Sequence, residues 1–323
     1  MLPGLTKYTP EQLDETALTP YRAKFTCING AAGDALDRRR LTRGQVPTQS
    51  HHYTSQYFHP WGRPMLSSCD RAPRDRYSRT CVLILDKYRG DGRRLIAERL
   101  QAFRSVIRQL EDIYNVRPFP HQTAQSLTEL YLLVRALRPR TIFELGAGSR
   151  SSTVALAAAS ATLWKCRIYS LDICPTPFKG FADQYFPALE FGPVRDIQQN
   201  AVEFLIPGAW KFPLLMLYDA HDDDLPNSVI SSHAITRWLP RLSGQVVAIH
   251  DCSVFPADYA GTFASPYTEA VHFSGRKVVG FAETAPLISW MNERRVDFCR
   301  PGDELQELGF DGHDSSLIYF RVP

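Results

Sequence analysis

The sequence predicts a doubly wound α/β domain behind an irregular and helical N-terminal extension, and three observations predict it. From Thr141 onward, short apolar runs alternate with helical patterns, the signature of parallel strands joined by crossover helices. The first run, "TIFELGAG", ends in a glycine turn of the kind that lets backbone approach a ligand without a Cβ in the way. The apolar runs that follow close on acids or histidine, at Asp172, Asp219 and the pair His250 and Asp251. A parallel sheet gathers such residues at its carboxyl edge, where open α/β sheets hold their ligands.

The bulk numbers agree with this class. A chain of 323 residues that is 44% hydrophobic has room for a large domain with its own core and a smaller unit beside it. The formal charge of +3 demands neither a nucleic-acid nor a membrane partner, and the clusters "DRRRLTR" and "DRAPRDRYSR" read as solvated faces. There is no basic leader followed by an apolar stretch, and no apolar run of about 18 residues, so a cytoplasmic protein that does not cross a membrane is expected. The seven cysteines, Cys27, Cys69, Cys81, Cys166, Cys174, Cys252 and Cys299, include no C-x-x-C pair and read as buried thiols rather than as a zinc ribbon or a disulfide framework.

Residues 1–80 are rich in Pro, Arg, Thr and His and lack periodicity; they read as an irregular extension whose aromatic piece "HHYTSQYFHPWGRPMLSS" suits a substrate lid or dimer arm. Residues 81–140 form a helical lead-in. It opens on a short strand and turn in "TCVLILDKYRG", followed by a long amphipathic helix with Leu95, Leu100, Phe103, Ile107 and Leu110 along one face. A second helix, "HQTAQSLTELYLLVRALRP", is stopped by Pro139.

Residues 141–323 form the α/β domain. Its elements are the strand before Gly146, the small-residue helix "SSTVALAAASA", the strand "CRIYSLDI", a third strand placed at "ALEFGPV", a short helix "AVEFLI" and the strand "FPLLMLYDAH". The helix "NSVISSHAITRWLPRL" and the strand "GQVVAIHDC" follow, then a loop and two late strands, "RKVVGFAE" and "SSLIYFRV".

The glycine turn narrows the ligand. A dinucleotide fingerprint requires a third glycine where this chain has Ser151, and Glu144 sits awkwardly beside a pyrophosphate but well beside an amino group or sulfonium. Asp172, at the end of the second strand, is placed to accept both ribose hydroxyls of an adenosine. With "FELGAGSRSST", "YSLDI", "LLMLYDAH" and "VVAIHDC" in that order, the chain resembles the class I S-adenosylmethionine-dependent methyltransferases over residues 120–255. Its D-x-H then H-D-C arrangement is similar to the small-molecule O-methyltransferases of the catechol and macrolide-sugar type.

The resemblance implies a Rossmann-like seven-stranded sheet, S-adenosylmethionine as cofactor, and methyl transfer to a small-molecule acceptor, at a hydroxyl, as in natural-product biosynthesis. It implies that Glu144 and Gly146 meet the methionine part and Ser152 its carboxylate, that Ala147 and Gly148 also bind the cofactor, that Asp172 holds the ribose, that Gln199 and Asn200 flank the adenine, and that Asp219 lies beneath the methyl-transfer centre. In the catechol-type relatives the positions of Asp219 and Asp251 bind Mg²⁺ with a following Asn or Asp; here that residue is Cys252, a soft ligand. His250 with Asp251 is the first candidate for catalysis, and His221 the second, since each histidine lies within two residues of a strand-end acid. A transition-metal site of Asp219, His221, His250 and Asp251 is the alternative use of the same residues. Tyr259, Phe263, Tyr267 and Trp290 read either as the lining of an apolar acceptor pocket or as packing residues, and Arg294 and Arg295 as partners of an acidic substrate or of nothing. A homodimer through the N-terminal helices is compatible with the resemblance. The rival readings are a nucleic-acid methyltransferase, weakened by "YDAH" where amino-directed enzymes resemble one another in a D/N-P-P-Y/F tetrad, and a methyltransferase fold that hosts other chemistry.

Overall fold

A computed structural model of the chain describes residues 83–88, 92–116, 124–163, 165–173, 176–201, 212–220, 229–263, 267–310 and 316–323. The N-terminal extension, the short helix expected at "AVEFLI", His221, the acidic run 222–224 and Cys27, Cys69, Cys81 and Cys174 lie wholly or almost wholly outside them.

The lead-in is helical throughout the described residues: α1 (Leu83–Tyr88), α2 (Gly92–Val116) and α3 (Ala124–Leu137). The strand expected at "TCVLILDKYRG" is therefore corrected to a helix. Its apolar run is too short for periodicity to separate the two states, and burial of Ile84, Leu85 and Tyr88 suits one helical face. Along α2 the buried stripe is Ile96, Phe103, Val106 and Leu110, whereas Leu95 is 38% exposed. Of the expected face, Phe103 and Leu110 are buried and Leu100 and Ile107 pack against the core, so only Leu95 departs from it.

The main sheet has six strands among the described residues, in the order β3-β2-β1-β4-β5-β9. They are β1 (Thr141–Leu145), β2 (Arg167–Asp172), β3 (Val194–Gln198), β4 (Leu214–Tyr218), β5 (Val246–Ile249) and β9 (Ile318–Arg321). The first five are mutually parallel, and β9 runs antiparallel to β5. The doubly wound, Rossmann-like class expected from the sequence is the one observed, with β1 at the switch point between its β2 and β4 neighbours. Every residue of β1, β4 and β5 is buried, as continuous apolar runs require when helices cover both faces. The third strand starts at Val194, where "ALEFGPV" ends, because an edge strand exposes its polar residues and "VRDIQ" carries no apolar run.

Helix α4 (Ser151–Ser160) is buried on almost every side, and its serines and alanines allow close packing against α3. Helices α5 (Phe178–Tyr185) and α6 (Val229–Trp238) complete the crossovers, and α7 (Thr284–Arg294) and α8 (Pro301–Glu307) precede β9. The region expected as a loop after Asp251 is instead a second, three-stranded antiparallel sheet of order β6-β8-β7, built from β6 (Ser253–Pro256), β7 (Thr268–His272) and β8 (Arg276–Gly280). It contains "RKVVG", so one of the two late strands leaves the main sheet and six strands stand where seven were expected. None of the described helices is long and apolar enough to cross a membrane.

Candidate functional site

The ladder continues one residue past several strands and fixes the candidate residues to the carboxyl edge. The Gly146 N–H donates to Leu171 O at 2.9 Å, that of Asp219 to Leu145 O at 2.9 Å, and that of His250 to Tyr218 O at 3.1 Å. Gly146 has φ +88°, and a Cβ there would lie 2.4 Å from the Asp219 carbonyl oxygen, so the turn after β1 presses directly on the residue after β4. Gly148 also has positive φ, at +43°, but faces open space.

Asp172 acts on that turn. Its Oδ2 accepts the N–H of Ala147 at 3.0 Å and of Gly148 at 2.8 Å, so the acid ending β2 holds the glycine turn in place. Gln199 is tied alongside by its N–H to Asp172 O at 3.0 Å, and Gln199 and Asn200 are half-buried at the same edge.

Beneath the turn lies a polar network that sequence reasoning missed apart from Glu144 and Ser152. Glu144 is fully buried, and its Oε2 accepts from Thr153 at 2.7 Å and from Ser170 at 2.5 Å. Burial pushes its pKa up, while hydrogen bonds from Ser152, Ser170 and Thr153 and the charge of Arg150 hold it down, with burial the larger effect. Arg150 is 1% exposed; it donates from Nε to Thr176 O at 2.7 Å and from Nη1 to Ser170 Oγ at 2.7 Å, and it pairs through Nη2 with Asp196 Oδ1 at 2.9 Å. Asp196 in turn accepts the Phe178 N–H that opens α5, at 2.9 Å. Glu144 and Ser152, expected at the methionine end of a cofactor, are both buried beneath the turn, where Ser152 hydrogen-bonds to Glu144.

On the other side of Gly146 sit Asp219, His250 and Asp251. His250 Nδ1 lies 3.2 Å from Asp219 Oδ1 and 3.1 Å from Asp251 Oδ1, and its Nε2 lies 3.0 Å from Ser316 Oγ. Ser316 Oγ is 2.9 Å from Ser126 Oγ on α3, so the start of β9 and the start of α3 both buttress the ring. Burial alone would lower the imidazole pKa, but the Asp251 and Asp219 carboxylates more than offset it and raise it well above its usual range. Asp251 reaches Nδ1 from a left-handed backbone conformation at φ +55°.

Within the cluster His250 is 6% exposed, and the Asp219 and Asp251 side chains 16% and 23%. The ring has protein partners on both nitrogens and lies deeper than the two acids, whose side chains are nearer solvent. As a metal site, Asp219, His250 and Asp251 bring one ligand atom each within 4.8 Å of one another. Two carboxylates and an imidazole suit a first-row transition ion. They fit Mg²⁺ poorly, because Cys252 is fully buried and its Sγ turns to His250 O at 3.6 Å rather than supplying a third oxygen.

The expected acceptor pocket divides. Tyr259 and Phe263 cluster with Phe255 at ring distances of 4.5 and 5.4 Å, Tyr267 packs on Phe281 at 4.9 Å, and Trp290 packs on Phe320 at 6.2 Å. Arg294 covers Trp290 and pairs with Glu293 at 3.1 Å, while Arg295 ends α7 at φ +52°.

No protein-family model matches this chain, and neither does any curated protein sequence. Solved structures similar to it include the SAH-bound methyltransferase PaMTH1 of Podospora anserina, at 14% identity over 70% of this chain and 95% of that one, with a TM-score of 0.42. The O-methyltransferase TomG of Streptomyces achromogenes, in complex with SAM, matches at 16% identity over 55% of this chain and 88% of that one, with a TM-score of 0.33. An O-methyltransferase of Bacillus cereus in complex with SAH matches at 15% identity over 55% and 90%, also at 0.33. These are remote likenesses to a doubly wound α/β chain.

Proposed function

We propose that this chain is an S-adenosylmethionine-dependent methyltransferase acting on a hydroxyl of a small molecule. The observation that carries the reading is the contact of Gly146 with the Asp219 backbone: it joins a glycine turn held by Asp172 to the acid cluster Asp219, His250 and Asp251 across one switch point. An adenosine then lies along the β2 side, its ribose hydroxyls on Asp172 and its base beside Gln199 and Asn200. Its sulfonium end reaches over Gly146 towards Asp219.

Methyl transfer needs the acceptor oxygen in line with the S–CH₃ bond and a group that takes the hydroxyl proton. As the O–CH₃ bond forms, the S–CH₃ bond breaks and its electron pair stays on sulfur, leaving a neutral thioether. The proton passes to a carboxylate, Asp251 or Asp219, because these acids face the edge while His250 stands behind them. Held by Ser316 on its far side, His250 fixes the direction of both acids and balances their charge. A transition ion held by Asp219, His250 and Asp251 would add Lewis acidity at the acceptor oxygen.

The test is calorimetric titration of the full chain with S-adenosylhomocysteine, with and without EDTA. Micromolar binding to the wild type, weakened at least a hundredfold in Asp172→Ala, is the expected result. Failure of the wild type to bind under either condition overturns the reading.

A further inference from the structure

Away from the carboxyl edge, a cleft of about 240 Å³ opens where α2, α3 and the C-terminal end of α4 meet. Arg99, from α2, and Arg135, from α3, line it, together with Tyr131 and the apolar Leu95, Ala102 and Ala158. The Nε atoms of Arg99 and Arg135 are both shut off from solvent, and neither has a hydrogen-bond partner among the described residues. Buried donors left without an acceptor are rare in folded proteins, and two on neighbouring cations are rarer still.

The local charge is unbalanced. Burial, then the nearby charge of Arg99, lowers the pKa of Arg135 against the smaller opposing effects of Tyr131 and Tyr88. Among the described residues Glu98 is the one carboxylate lining the cleft; its side chain is largely exposed and lies 3.7 Å from Arg94. Arg135 spends Nη1 on Ala159 O, at 3.1 Å, and on the Thr162 hydroxyl, which answers the carbonyl end of α4 but leaves its Nε unmatched.

We propose that this cleft binds a phosphate-type oxoanion between the guanidinium groups of Arg99 and Arg135, with the apolar wall taking a small organic substituent. Planar guanidinium groups match the oxygens of a tetrahedral anion, which would meet the outer, Nη ends of the two side chains that line the cleft. Two guanidinium groups beside a short apolar wall suit a phosphate or a small phosphomonoester. The site is also separate from the glycine turn: α4 starts at that turn and ends at the cleft, and its ten residues span about 15 Å. It therefore stands whether or not the proposed methyl transfer does.

The experiment is titration of the full chain with sodium phosphate at constant ionic strength, followed by calorimetry and by the NMR signals of the arginine Nε–H groups. Saturable binding is expected, with the Arg99 and Arg135 signals moving. Arg99→Gln and Arg135→Gln should each weaken it at least tenfold, and Arg94→Gln should leave it unchanged. Glycerol 3-phosphate in a parallel titration distinguishes the sources: at least tenfold tighter binding identifies a phosphomonoester, and equal binding identifies free phosphate. Arg135→Gln removes a contact to α4 and risks the fold, so Arg99→Gln decides if that variant is not folded. Absence of saturation, or equal weakening by Arg94→Gln and Arg99→Gln, overturns the proposal.

Discussion

At the residue scale, the two glycines of the turn are not equivalent. Both have positive φ, where an L side chain costs about 1–2 kcal/mol. At Gly148 that is the whole expected cost of an alanine, because nothing lies within 4 Å of the added Cβ. At Gly146 the added Cβ would meet backbone on three atoms, from Asp219 O at 2.4 Å to Ala220 N at 2.8 Å, and backbone cannot swing aside as a side chain does. Gly146→Ala should therefore cost about 2–5 kcal/mol. It should also move Asp219 and so weaken S-adenosylhomocysteine binding, while Gly148→Ala loses only that ~1–2 kcal/mol and leaves Asp219 in place. Urea denaturation and calorimetry on the pair check this; equal behaviour of the two variants would refute the contact between the turn and β4.

At the element scale, Arg150 joins the ends of three strands. One guanidinium reaches Ser170 on β2, Asp196 on β3 and the carbonyl of Thr176 before α5, and Ser170 passes the connection to Glu144 on β1. Arg150→Met keeps the stem but leaves Asp196 and Glu144 without their cation. Breaking a buried pair costs about 3–5 kcal/mol, and the 26% exposure of the Asp196 side chain puts this case near the lower end. The glycine turn should loosen with it, weakening S-adenosylhomocysteine binding about tenfold, and Arg150→Lys should recover only part because an ammonium lacks the fork. Unchanged stability in Arg150→Met would refute the network. How this region reads from sequence follows from the range of its contacts. The strand-end acids, the glycine turn and the crossover pattern are local signals, and they predicted the sheet and its carboxyl edge. Arg150 has no such signal: nothing in "GSRSST" says that its side chain turns inward to residues 20 and 46 positions away. Ser316, 66 residues from His250 and 190 from Ser126, is likewise visible only once β9 is paired with β5. The β7–β8 hairpin did leave a trace, since "HFSGR" carries a turn glycine at φ +76° between alternating runs, but the run before it mixes in Glu269 and Pro266 and reads as loop.

At the scale of the whole molecule, α1 is hydrogen-bonded to the α/β layers through a buried acid. Glu304 on α8 accepts the Leu85 N–H at 2.8 Å on Oε2 and the Tyr319 hydroxyl on Oε1, and Tyr319 accepts the Leu83 N–H at 2.9 Å. Glu304 thus ties α1 to β9, far along the chain. Burial raises its pKa from 4.5 to about 7, against the hydrogen bonds from Leu85 and Tyr319, which pull it down. The folded-state value lies above the unfolded one, so the folded chain holds this proton more tightly, and stability is fullest below about pH 4.5 and lost as pH rises through about 7. The loss attributable to this group is on the order of 3 kcal/mol across that window. Glu304→Gln keeps an acceptor and removes the ionisation, so its stability should be flatter with pH over the same range, and its advantage over the wild type should grow towards pH 8. The measurement is urea denaturation of both proteins from pH 5 to pH 8, with hydrogen exchange at Leu83 and Leu85 as the local readout. If the two proteins change in parallel with pH, Glu304 is not the group that couples the lead-in to proton concentration, and α1 is held by the apolar contacts of Ile84, Leu85 and Tyr88 alone.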